Sequence, residues 1–176
     1  ASHVAPTVTR ILLNAFARLS PTLPDVELHL AGREADLNRW LEPLPDAIRK
    51  QVIVHGFLAP EELPDLFATM DLFALPSRHD GWGVVINQAI AAHLPVIATT
   101  TAGAAADLIE PHANGLLIPP NDVDALEEAL LKLLKDGALR RSMRANQSRH
   151  AESMTSAFAA RRWVDILDAF GQNRRS

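Results

Sequence analysis

Apolar positions along the chain switch repeatedly between helical spacing and short continuous runs. Val8, Ile11, Leu12, Ala15, Phe16 and Leu19 share one face of a helix over residues 7–19, which Pro21 and Pro24 bring to an end. A strand over 26–32 follows and closes on Gly32. Residues 34–42 suit a helix, and 51–57 form a second strand around Gly56 and Phe57. Pro60-Glu61-Glu62 reads as a helix start, with Pro in the first turn and acids at the positive end of the dipole. Residues 71–77 are too short for a helix once Pro76 is counted, so they read as a third strand. A strongly apolar helix over 84–92, a strand over 95–100, a short helix over 104–109 and a strand over 115–120 follow. Asp122 caps an amphipathic helix over 123–135 that Gly137 closes. Beyond it only two helices are expected, at about 138–152 and 156–170, the last with an apolar stripe through Trp163.

Strands that alternate with helices and read as near-continuous apolar runs point to a parallel sheet covered on both faces. The expected class is α/β, a Rossmann-like doubly wound parallel sheet. In such sheets ligands bind beyond the carboxyl ends of the strands. The loops at 32–34, 56–60, 77–83 and 99–104 are therefore the places to look.

The chain has 176 residues, 48% of them apolar, enough for one domain with a real core. We expect a core over 1–136 and C-terminal helices over 137–176 that pack on it or reach another domain. The formal charge of −4 argues against nucleic-acid binding through phosphate contacts. From residue 137 onward eight arginines face three acids, which reads as a solvated surface. With no cysteine, disulfides, thiol catalysis and Cys-type zinc sites are excluded, and no His or acidic cluster shows metal-ligand spacing. No apolar stretch reaches the ~18 residues of a membrane span, so the chain reads as soluble and cytoplasmic. Ala1-Ser2-His3 reads as the remnant of an excision from a longer protein.

Residues 76–103 carry the chemistry. A strand leads into Asp80-Gly81-Trp82-Gly83, and a helix begins at Val84. Amides at a helix start, approached over glycines, make an anion site suited to a phosphate or diphosphate. Asp80 and Gln88 add one anionic acceptor and one neutral acceptor and donor for sugar hydroxyls.

Asp80-Gly81-Trp82-Gly83 through Ala91, followed by Leu94-Pro95-Val96-Ile97-Ala98 and Gly103, resembles the nucleotide-sugar motif of retaining GT-B glycosyltransferases of the group 1, family 4 type. The resemblance extends to Leu30-Ala31-Gly32, Val54-His55-Gly56-Phe57, the run from Asp71 to Ser77, Asn114-Gly115-Leu116-Leu117 and the helix with Trp163. It implies the C-terminal, donor-binding half of a GT-B fold that transfers a hexose-type sugar to a glycan or lipid-linked acceptor. The implied donor is a UDP-, GDP- or ADP-sugar, with no metal or other cofactor. Its base would lie toward Gly32, Arg33, Gly56 and Phe57, its diphosphate on the amides of Gly81, Trp82 and Gly83 with Val84 beside them. Its ribose would meet Gln88, and its sugar would meet Asp80, the catalytic candidate. The implied partner is an N-terminal acceptor domain of the same protein, without which the chain is expected to be inactive. Peripheral association of the full-length enzyme with the inner membrane face is a further expectation, and no nucleic acid is involved.

Three departures from the family pattern stand out. Gln88 occupies the place of a glutamate that accepts both ribose hydroxyls, a change expected to weaken donor binding by ~1–2 kcal/mol. His93 stands where the family usually has Gly, and a histidine at a helix end needs no catalytic role to explain it. The family's basic Arg and Lys pair is not found before the first helix, which leaves Arg33 as one source of positive charge. These departures motivate a second reading, a binding or scaffolding module that kept the fold and lost its donor. A third is half of a nucleotide-sugar epimerase. Asn87 reads as a core neighbour sooner than a polar partner at the helix face, Trp82 as a packing anchor sooner than a stacking platform, and His29 and His55 as strand residues satisfied locally. Thr99, Thr100 and Thr101 could bond a sugar or phosphate, although a strand end explains them equally well.

Overall fold

The structure is a computed structural model that describes residues 6–32 and 34–153. Helix α1 (Pro6–Leu19) begins on a proline, whose missing N–H is no loss in a first turn. A single 3-10 turn, Ser20–Thr22, leads into β1 (Leu28–Ala31). Then come α2 (Glu34–Leu41), α3 (Asp46–Arg49), β2 (Val52–Gly56), α4 (Leu63–Ala68) and β3 (Phe73–Leu75). The remainder runs α5 (Val84–Ala91), β4 (Val96–Thr99), α6 (Gly103–Leu108), β5 (Gly115–Ile118), α7 (Val123–Lys135) and α8 (Gly137–Ser153).

Every ladder is parallel, as the apolar runs require. In the three-stranded sheet β3-β4-β5, Phe73 stands opposite Val96, and Val96 through Thr99 stand opposite Gly115 through Ile118. In the two-stranded sheet, Leu28 through Leu30 stand opposite Val52 through Val54. The expected single sheet is therefore interrupted between β1 and β3, where no ladder bond forms among the described residues.

Strand alternation sends successive side chains to two helix layers. Ile97, Leu116 and Ile118 join α1 and α7 in one core, which includes Leu12, Ala15, Leu126 and Leu133. Val96 and Ala98 join Ile86, Ala89 and Ile90 of α5, with Ala104 and Ala105 of α6, in the other. Such double coverage is what makes the sheet doubly wound. Arg18 of α1 also bonds Asp124 at 2.5 Å and Glu127 at 3.1 Å on α7, and these two carboxylates raise its pKa above the ordinary value.

Two local expectations are corrected. The helix expected from Pro60 starts at Leu63, because Glu62 turns its carboxylate back to the Ala59 amide at 2.7 Å and residues 59–62 form a turn. Gly137 does not close α7 but opens α8, with Asp136 accepting from the Leu139 amide at 2.9 Å as its cap. The four-residue α3 was not foreseen. The expected helix at 156–170, with its Trp163 stripe, lies outside the described residues.

Helix α8 is fastened by an uncharged polar cluster. Gln147, fully buried, donates to the carbonyls of Leu94 at 2.5 Å and Asn114 at 2.9 Å. Asn114, also fully buried, donates to Gln147 Oε1 and to the Leu108 carbonyl, and its Oδ1 accepts from the Glu110 amide at 2.8 Å. Every polar atom in the cluster has work, so its burial carries little desolvation penalty.

Candidate functional site: the loop after β3 and the start of α5

Within each ladder the strands end together, so Leu75, Thr99 and Ile118 open onto one edge, as do Ala31 and Gly56. The loop after β3 then zips against the loop after β4. Asp80 pairs with Ala102 as an isolated parallel bridge, the Gly103 amide donates to the Asp80 carbonyl at 3.3 Å, and the Ala104 amide donates to the Trp82 carbonyl at 2.7 Å. The approach is close enough to require a glycine: a Cβ on Gly103 would sit 2.5 Å from the Gly81 carbonyl oxygen.

Hydroxyls brace the same loop from beneath. Thr99 Oγ1, fully buried, donates to the Ser77 carbonyl at 2.6 Å, and Thr101 Oγ1 reaches the same carbonyl at 3.3 Å. Thr99 and Thr101 thus serve the protein rather than a ligand, while Thr100 is exposed. Sequence reasoning could not separate the three.

Gly83 sits at the N-cap of α5 with φ 79, left-handed backbone that favours glycine, and an added Cβ would press on Ile86. The turn lets the chain enter the helix with Val84 63% exposed. First-turn amides of a helix have no partner within it, and here no acid side chain fills the first turn. Val84 and Val85 therefore present N–H groups at the positive end of the α5 dipole, an arrangement able to hold an anion.

Asp80 spends one carboxylate oxygen on the Trp82 amide at 3.2 Å, and the other remains available to a hydroxyl group. Trp82, 45% exposed, lays its indole along α5 and donates from Nε1 to Asn87 Oδ1 at 3.1 Å. The indole is a tether between loop and helix, and Asn87 is its partner, the polar role at the helix face that the sequence reading placed second. Gln88 is half-buried further along α5 and makes no side-chain hydrogen bond among the described residues.

The remaining candidates stand at the ends of the two-stranded sheet. Gly56 takes φ 72 at the end of β2, and Phe57 is 79% exposed beyond it. Gly32 follows β1, and Arg33 lies outside the described residues. The sequence reading overlooked one cation: Arg78 is exposed in the 77–83 loop, two residues before Asp80, with no ion pair among the described residues. A basic residue inside the loop that carries the carboxylate was the signal. His29 and His55 satisfy one another, with Nδ1 and Nε2 2.8 Å apart and rings stacked at 5.1 Å. His93 takes φ 60, left-handed backbone that favours glycine. Among the described residues no cluster of His, Cys, Asp or Glu could hold a metal ion, and no helix is long and apolar enough to cross a membrane.

Comparison with known proteins agrees with this architecture. Residues 5–136 match the family described as glycosyl transferases group 1. The chain is 32% identical over 149 residues to a GDP-mannose-dependent monoacylated alpha-(1-6)-phosphatidylinositol monomannoside mannosyltransferase of Corynebacterium glutamicum. That match covers 81% of this chain and 38% of the relative, so the chain spans well under half of that enzyme's length. Among solved structures, the C-terminal domain of a group 1 family glycosyl transferase (LpcC) from Francisella tularensis superposes with TM-score 0.74 at 25% identity, covering 83% of this chain and 78% of that one. HepE from Anabaena, solved with UDP, gives TM-score 0.79 at 24% identity, over 96% of this chain and 47% of its own. The fold is thus that of GT-B enzymes, and the chain belongs to the group 1 glycosyltransferases.

Proposed function

We propose that this chain is the donor-binding, C-terminal part of a retaining glycosyltransferase, with the loop 77–83 and the start of α5 as its diphosphate and sugar site. The observation that carries the reading is the α5 start: two uncapped first-turn amides behind a left-handed glycine, on a loop pinned by Gly103. The GDP-mannose dependence in the relative's name and the UDP in the HepE structure support a nucleoside-diphosphate sugar as the ligand class.

In this reading the diphosphate rests on the amides of Gly83, Val84 and Val85, with Arg78 as a nearby cation. Gln88 meets the ribose, and the base extends toward Gly32, Gly56 and Phe57. The oxygen of Asp80 left over from the Trp82 amide accepts a sugar hydroxyl. Catalysis is stabilisation of the departing diphosphate by fixed dipoles and cations while the sugar passes through an oxocarbenium-like state. The acceptor site belongs to an N-terminal domain of the same protein, so this chain alone binds donor and transfers nothing.

Calorimetric titration with GDP, UDP and ADP and their hexose conjugates tests the reading. Binding of one series, lost in Gly83→Val, supports it; no binding to any of them, in a folded chain, overturns it. The amide of Gln88 in place of a carboxylate favours a second reading, a scaffold of the same fold without donor affinity. That same null result would establish it.

A further inference from the structure

We propose that Asn87 is a positioning residue for the donor site, acting through its hydrogen bond to the Trp82 indole. The inference rests on the donor reading above and concerns a residue which that reading leaves without a role. Its starting point is the way α5 begins. Gly83 is the N-cap, so Val84, Val85, Ile86 and Asn87 are the first four helical positions and Trp82 is the residue before the cap. The residue before the cap and the fourth helical residue are the two that a hydrophobic staple joins, and their contact sets the angle at which the chain enters a helix. Asparagine offers little apolar surface for such a contact. Here the same two positions are joined by a hydrogen bond instead, Trp82 Nε1 donating to Asn87 Oδ1 at 3.1 Å.

This fastening leaves the anion site open. A helix start is ordinarily steadied by Ser, Thr, Asp or Asn at the N-cap, whose side chain accepts from the second or third helical amide. Such a cap at position 83 would draw on the Val85 amide, one that the diphosphate needs. Gly83 supplies no side-chain cap, and the Ile86 amide turns to the Gly83 carbonyl at 2.8 Å, so the amides of Val84 and Val85 face outward. A glycine in left-handed backbone restrains the entering chain weakly, because it lacks the Cβ that narrows φ and ψ. Asn87 restores the restraint from one turn further along, through a bond that spends no first-turn amide.

Trp82 passes that restraint to the rest of the site. Its backbone amide donates to Asp80 Oδ1 at 3.2 Å, and its carbonyl accepts from the Ala104 amide of α6 at 2.7 Å. One residue therefore connects the Asp80 carboxylate, the start of α5 and the start of α6. With the indole released, the segment from Gly81 to Gly83 keeps its attachment to α6 and loses its side-chain attachment to α5. The donor then binds only the fraction of molecules in which the cradle is set, and apparent affinity falls by that fraction. The indole bond is exposed, so neither partner is needed to hold the core together.

The test is a double-mutant cycle on the 176-residue chain, with Asn87→Ala, Trp82→Phe and the two combined, read by calorimetric titration with GDP, UDP and ADP. Each single substitution should weaken the nucleotide that binds the parent chain about fivefold. The combined variant should also lose about fivefold in total, rather than the roughly twenty-fivefold of independent effects. Melting temperatures should stay within about 2 °C of the parent. Without nucleotide, the amide order parameters of Trp82 and Gly83 should fall from about 0.85 toward 0.6 in Asn87→Ala. Asn87→Leu, which offers the indole an ordinary apolar staple, should recover most of the affinity. Failure of that rescue would assign Asn87 a direct contact with the donor and overturn the positioning role. Unchanged order parameters, multiplying single effects, or an affinity that falls only in step with the melting temperature would overturn it as well. If the indole is a stacking platform, Asn87→Ala leaves affinity unaltered, and that result sinks the inference alone. A parent chain that binds none of the three nucleotides ends the donor reading and this inference with it.

Discussion

The half of the molecule built on β3, β4 and β5 is closed, while the half built on β1 and β2 is open. All four residues of β4 are buried between two helix layers, but the five residues of β2 are only half-buried. The loop from Ser77 to Gly83 hangs on the closed half, fixed by two threonine hydroxyls, a backbone bridge and the Gly103 contact. The base-side candidates Gly32, Gly56 and Phe57 hang on the open one. A site for charge needs fixed dipoles, and the rigid half supplies them. A site for a flat base tolerates more play.

The largest test of this contrast is a pair of truncations read by urea denaturation. Ile97→Ala, fully buried in β4, should cost about 4 kcal/mol, while Val54→Ala in β2 should cost about 1 kcal/mol. Equal losses would erase the difference between halves. Next, Gly103→Ala must push the Gly81 carbonyl aside, at about 2 kcal/mol of stability, and should lower nucleotide affinity more than Val54→Ala does in titration calorimetry. Gln88→Glu should tighten donor binding about fivefold, roughly 1 kcal/mol, with an unchanged melting temperature. Smallest is His93→Gly, which relieves the left-handed backbone at φ 60 and should stabilise by about 0.5–1 kcal/mol in the same urea assay.

The closed half was the more legible in the sequence, for the same reason that it is closed. The run from Pro95 to Thr99 declares double-sided burial directly, and the Asp80 to Gly83 motif sits between the apolar runs 71–77 and 84–92. What escaped depends on contacts distant in sequence. Nothing local distinguishes Thr99 and Thr101, which hold Ser77, from exposed Thr100. Gly137 reads as a stop by composition, yet Asp136 caps a new helix there. Trp82 shows no sequence sign of its bond to Asn87. The gap between β1 and β3 was invisible because periodicity reports how a strand is buried, not which strand lies beside it.

Gln147 has a consequence for the order of assembly. It reaches back 53 residues to Leu94 and 33 to Asn114, so the entrance to β4 and β5 stays unsealed until α8 has been synthesised. During translation, a nascent chain that has reached only residue 146 leaves the Leu94 carbonyl and one side of the Asn114 carbonyl to water at that doorway. The arrival of one amide side chain latches it, making α8 a part of the sheet's closure rather than an appendage to it.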